Sequence, residues 1–218
     1  VDGIGKEGKM ECQLYPLSGV VFGLAAGVSP GPLLTLVVSE TLRHGVREGI
    51  KICVAPLITD LPIVLGTLFL VSHAAEMGSF LGWMSILGAA FLAYLSYGSI
   101  AVKAVASRAE DVEPRSFRKG ALANLLNPHP YMFWSAVGAP TLLNALHIGF
   151  FTGLSFILGF YLSIVGSKTA VALLVGKSRS FLGGRMHLCA IRLMGVALLA
   201  FAVLFLMDGL RLLGVIRN

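Results

Sequence analysis

Six apolar stretches of about 20 residues or more recur along the chain, near 14–42, 50–72, 77–104, 120–146, 148–176 and 188–215. A run of that length crosses the hydrocarbon core of a bilayer as one helix. Only 13% of the 218 residues are charged, against about 25% in a soluble domain. The sequence therefore predicts an all-α integral membrane protein of six transmembrane helices, with almost nothing left for a soluble domain.

The net charge of +6 raises nucleic acid as a partner, but the basic residues fall between the apolar runs and form no single basic module with interleaved aromatics. Their placement speaks to orientation instead. Arg43, Arg47 and Lys51 follow the first run; Lys103, Arg108, Arg115, Arg118 and Lys119 follow the third; Lys177, Arg179 and Arg185 follow the fifth. Lys6, Lys9, Arg211 and Arg217 are the few on the other side. The positive-inside rule then puts the crowded loops in the cytoplasm and both termini outside, in a multi-pass protein of the plasma membrane.

Residues 1–13 form a polar, Gly-rich N-terminal segment with no cleavable leader evident, and Met10 stands as an alternative first residue. Cys12, Cys53 and Cys189 are too widely spaced for a zinc pattern and read as small apolar residues. No metal and no cofactor is expected.

The longest hydrophilic stretch, 105–119, splits the runs three and three, into repeats at 14–104 and 120–218. Because three is odd, the second repeat enters the membrane in the opposite sense. Ser29-Pro30-Gly31-Pro32 in the first run of one half is echoed by Asn127-Pro128-His129-Pro130 in the first run of the other. Each proline removes a backbone donor and clashes with the carbonyl four residues back, so helices one and four are predicted to break there. Groups freed in hydrocarbon cost several kcal/mol each unless satisfied, so they belong beside a polar cavity or a neighbouring helix. Paired breaks in an inverted repeat are a way to build a binding site near the midplane.

Gly19, Gly23, Gly27 and Gly31 recur every four residues, a face on which another helix can approach closely. Asp60 lies about ten residues from either end of the second run, and Lys168 is the lone charge deep in the fifth. Ionisable groups at such depth usually face the bundle interior and serve a pathway. An acid that merely caps or pairs, and a lysine that snorkels to the interface, are the bland alternatives. The two charges also stand as candidates to pair with each other. Glu40 and Asp208, near the ends of their runs, are expected at exposed interfaces. His129 reads either as a substrate-facing group or as a structural histidine. Trp83, Tyr131 and Trp134 read as interfacial belt residues, the last two with cavity lining as an alternative.

Residues 27–31, GVSPG, match the nucleophile elbow G-x-S-x-G, but that motif needs a strand-to-helix turn with acid and histidine partners, so no enzyme is expected. Taken together, the GxxxGxSPGP of Gly23 to Pro32, the Arg-His-Gly-Val-Arg-Glu-Gly of 43–49, Asp60 within TDLP and the NPHPYMFW of 127–134 resemble the lysine exporter (LysE) superfamily of amino-acid and small-solute exporters. The resemblance runs the length of the chain. It implies secondary export without ATP, coupled to a proton or cation gradient, with functional positions at Pro30, Gly31, Pro32, Asp60, Asn127 and Pro128. A passive channel and a non-transporting scaffold subunit stay open as alternatives. The expected partners are a small-molecule substrate and the lipid bilayer; association between copies of the chain is left open.

Overall fold

A computed structural model describes the backbone of residues 3–70, 74–101, 114–179 and 184–216. Residues 105–113 of the expected linker and the side chains of Met10 and Cys12 lie outside the described set. Among the described residues every regular element is a helix.

Helix α1 spans Gly3–Val28, so the backbone of the polar segment is helical from residue 3 onward. Leu14, Leu17, Val21, Leu24 and Val28, spaced three and four apart, are all exposed. The opposite face carries Gly19, Gly23 and Gly27, which press against α9 (Phe150–Arg179). A stripe of exposed leucine and valine opposite a tightly packed face is the pattern of a helix with lipid on one side and protein on the other.

After three residues, α2 (Pro32–His44) sets off at 60° to the 14–28 part of α1. It ends at Gly45, whose φ of 98° favours glycine and whose N–H bonds the carbonyl of Thr41 at 2.9 Å. Helices α3 (Val46–Cys53) and α4 (Ala55–Leu70) are separated only by the near-helical Val54, and α5 (Ala74–Ile100) follows. Beyond the linker come α6 (Ser116–Leu125), α7 (Pro128–Phe133), a π-helical turn at Trp134–Gly138, α8 (Ala139–Ile148), α9 and α10 (Gly184–Leu212).

Val46–Thr67, Gly78–Ile100, Phe150–Ser178 and Leu188–Leu212 are long and apolar enough to cross a membrane, and the bent pair Leu14–Val28 with Pro32–His44 makes a fifth crossing if taken as one span. The expected run at 120–146 is divided among α6, α7, the π turn and α8, so no single helix there has the length.

The packing interleaves the two halves of the chain. α1 lies along α9, α5 along α10, and α6 against α3 and α4. α2 sits centrally, touching α3, α6, α9 and α10, with Leu36 and Val37 buried beside Ile52, Leu92, Leu198 and Phe205.

That central position overturns the exposed interface expected for Glu40, which is only 1% exposed. Its Oε2 accepts from Ser116 Oγ at 2.9 Å, its Oε1 accepts from Lys119 Nζ at 2.9 Å, and His44 Nε2 lies 3.8 Å away. A carboxylate carried inward with α2 needs such partners, because an unpaired buried charge is costly. Asp208 remains partly exposed, 3.9 Å from Arg211.

Candidate functional site

Pro30 governs the end of α1. In a continuous helix its N–H would meet the carbonyl of Ala26, and proline has none to give. The last ordinary bond of the turn is Ser29 N–H to Ala25, at 3.1 Å. Gly31, whose N–H would serve the carbonyl of Gly27, is already extended at φ −165° and ψ 175° and caps α2. Two carbonyls thus lose their helical donors, at the helix end that carries partial negative charge.

Lys168 of α9 supplies what is missing. Its Nζ donates to the carbonyl of Ala26 at 2.9 Å and to that of Gly27 at 3.0 Å, and the residue is 3% exposed. Gly27 permits the approach: a Cβ there would run into Ser167, the residue before Lys168. Lys168 therefore neither snorkels to an interface nor forms an ion pair with Asp60 among the described residues. The carbonyls, within direct reach on the helix packed against α9, take the ammonium instead.

Asp60 of α4, also 3% exposed, is held by α6 and α9. Its Oδ1 accepts from Asn124 Nδ2 of α6 at 2.6 Å, and its Oδ2 accepts from the Tyr161 hydroxyl of α9 at 3.3 Å. Asn124 Nδ2 also donates to Thr59 Oγ1 at 2.8 Å, so the carboxamide is fixed by two neighbours on α4.

The second interruption is built from local bonds. Asn127 leaves the helix with φ −85° and ψ 121°, and its Oδ1 accepts the N–H of His129 at 3.0 Å, an N-cap for α7. Pro128 starts α7 where a donor would be unused. The carbonyl of Leu125, whose helical partner would be that same His129 N–H, accepts from the Tyr131 hydroxyl at 2.9 Å.

Between the two interruptions lies a cavity of about 580 Å³. Ser29, Pro30, Gly31, Pro32, Asp60, Asn127, His129, Pro130 and Lys168 all line it, and Asn124 joins them. Pro128 is buried and the Tyr131 hydroxyl bonds to α6, and neither residue lines the cavity. The rest of the wall is apolar, part aliphatic and part aromatic. Phe133 stacks on Phe160 at 5.3 Å, Trp134 meets Phe160 edge-on at 5.4 Å, and Phe22 packs on Phe133 at 6.0 Å. Trp134 is thus cavity lining, while Trp83 is 61% exposed. His129 turns an exposed ring toward Phe205, 5.9 Å away.

Sequence reasoning did not single out Asn124 or Tyr161. Asn124 stands three residues before Asn127, the place that Ala26 holds before Ser29 in the other half. Reading the two motifs a few residues further upstream would have exposed it.

A helical chain with lipid-type faces, a bent central span and two opposite charges buried around one cavity defines a multi-pass membrane protein of the solute-transporting class. The family model for the LysE type translocator matches residues 24–209, and the chain belongs to that family, one of small-solute transporters. No curated protein and no solved structure matches the chain.

Proposed function

We propose that this chain is a secondary active exporter of amino acids or related small solutes, working in the plasma membrane with its basic loops cytoplasmic and both termini outside. The six spans form a 3+3 inverted repeat, with the first and fourth broken at SPGP and NPHP. One observation carries the reading: each half sends a buried charge to the interrupted helix of the other, Lys168 to α1 and Asp60 to Asn124 of α6, with a cavity between them.

The chemistry suits a zwitterion. The first turn of α2, where Leu33 and Leu34 line the cavity, presents free N–H groups and the positive end of a helix dipole to a carboxylate. Asp60 holds the amine or a coupling proton. The apolar walls accept the remainder of the solute.

Purified protein in liposomes, loaded with one amino acid at a time, tests the proposal by counterflow. Uphill accumulation of at least one amino acid, abolished by an ionophore and by Asp60→Asn, is the expected result. Flux that only runs downhill would point to a passive permease. If no amino acid is moved, and none raises the melting temperature, the exporter reading fails.

A further inference from the structure

We infer that the Lys168 ammonium is a tethered cation, occupying a monovalent-cation site formed by the α1 interruption so that no sodium or potassium ion binds there. Three features meet at this point. Pro30 deprives the Ala26 carbonyl of its helical donor, and the extended Gly31 does the same for Gly27. Both oxygens terminate α1 at its negative dipole end. Lys168 Nζ lies within 3.0 Å of both, and the residue is 3% exposed.

Unwound carbonyls at the C-terminal end of a half-helix are the groups with which broken-helix transporters hold a coupling cation. Here the charge arrives covalently attached to α9, and Gly27 lets the two backbones come close enough for it to reach. A free alkali cation at the same oxygens would have to displace an ammonium that cannot diffuse away. The site is therefore permanently filled, and export proceeds without sodium or potassium bound at it. This consequence for coupling rests on the exporter reading; occupancy of the carbonyls by the ammonium does not, and the test measures binding apart from transport.

The test is thermal unfolding of the full-length protein in detergent, at constant ionic strength, in sodium, potassium, choline or methylammonium chloride. Wild type should melt at one temperature in all four. Lys168→Ala should melt lower by about 5 °C or more in choline and recover most of that loss, saturably, in methylammonium, which restores an ammonium to the vacated position. The loss should shrink when Pro30→Ala is added, since that change returns a donor to Ala26. A saturable rise of the wild-type melting temperature with sodium or potassium overturns the inference. So does a Lys168→Ala protein that melts like wild type, or one that methylammonium fails to move. Should Lys168→Ala yield no folded protein in detergent, methylammonium supplied during expression must restore a monodisperse product, and failure to do so also overturns it. Absence of amino-acid transport by the wild type, with all of these shifts intact, would count against the exporter reading alone.

Discussion

Asn124 of α6 and Asp60 of α4, 64 residues apart in sequence, are joined by a hydrogen bond of 2.6 Å inside the bundle. Asn124→Leu strips Oδ1 of this donor and leaves it facing a leucine. A hydrogen bond between membrane helices is worth about 0.6 kcal/mol on average and up to about 1.7 kcal/mol. The variant should therefore melt a few degrees lower, and Asp60→Leu combined with Asn124→Leu should cost less than the two single changes summed. Additive losses in thermal unfolding would show that the pair does not interact.

The glycines of α1 divide by what stands against them. A Cβ at Gly19 would strike the Phe156 carbonyl, and one at Gly23 would meet the Phe160 carbonyl and lie 2.9 Å from Ser163 Cβ. Overpacking of this kind costs about 1–3 kcal/mol, so Gly19→Ala and Gly23→Ala should lower the melting temperature. At Gly31 the nearest atom to such a Cβ is 4.0 Å away and the backbone is extended. Gly31→Ala should therefore leave stability within about 0.5 kcal/mol of wild type.

Pro30→Ala gives the Ala26 carbonyl an ordinary helical donor and lets α1 continue. Insertion and thermal stability should hold or improve, while export falls at least about tenfold as the lining at residues 29–32 straightens. Counterflow and melting curves on one preparation check both halves of this expectation. Transport that survives with the helix continuous would remove the functional case for the bend.

Glu40 and Lys119 supply a test by rescue. Lys119→Met takes the ammonium away from the buried Glu40 carboxylate and leaves it beside the Ser116 hydroxyl and the more distant His44, which should destabilise by about 1–3 kcal/mol. Glu40→Gln in the same chain removes the stranded charge and should return much of the loss. A double variant less stable than Lys119→Met alone would refute this account.

What could be read in advance depended on how local each signal is. Length and hydropathy mark the long helices because spanning is a property of a single segment. SPGP announces the end of α1 because a missing N–H acts within four residues, and Asp60 and Lys168 stand out because charge is rare in apolar runs. Partner choice is another matter. Nothing near Lys168 in sequence says that it reaches Ala26 rather than Asp60; that follows from Gly27 and Ser167 setting how closely α9 approaches. Glu40 looked interfacial because its span ends soon after it, yet Ser116 and Lys119, more than seventy residues on, enclose it. Gly31 shares the spacing of its three predecessors but lies past the end of α1, so periodicity alone overcounted the packed face.

The crossing of charges between halves also bears on biosynthesis. A chain is made N-terminus first, so α1 enters the membrane with the Ala26 carbonyl exposed 142 residues before Lys168 is added. Asp60 waits in the same way for Asn124, and longer for Tyr161. The first three spans made on their own therefore carry polar groups whose partners lie on a later part of the nascent chain. An mRNA truncated before α9 should give a product that cellular quality control removes quickly, whereas separately encoded halves produced together should protect one another.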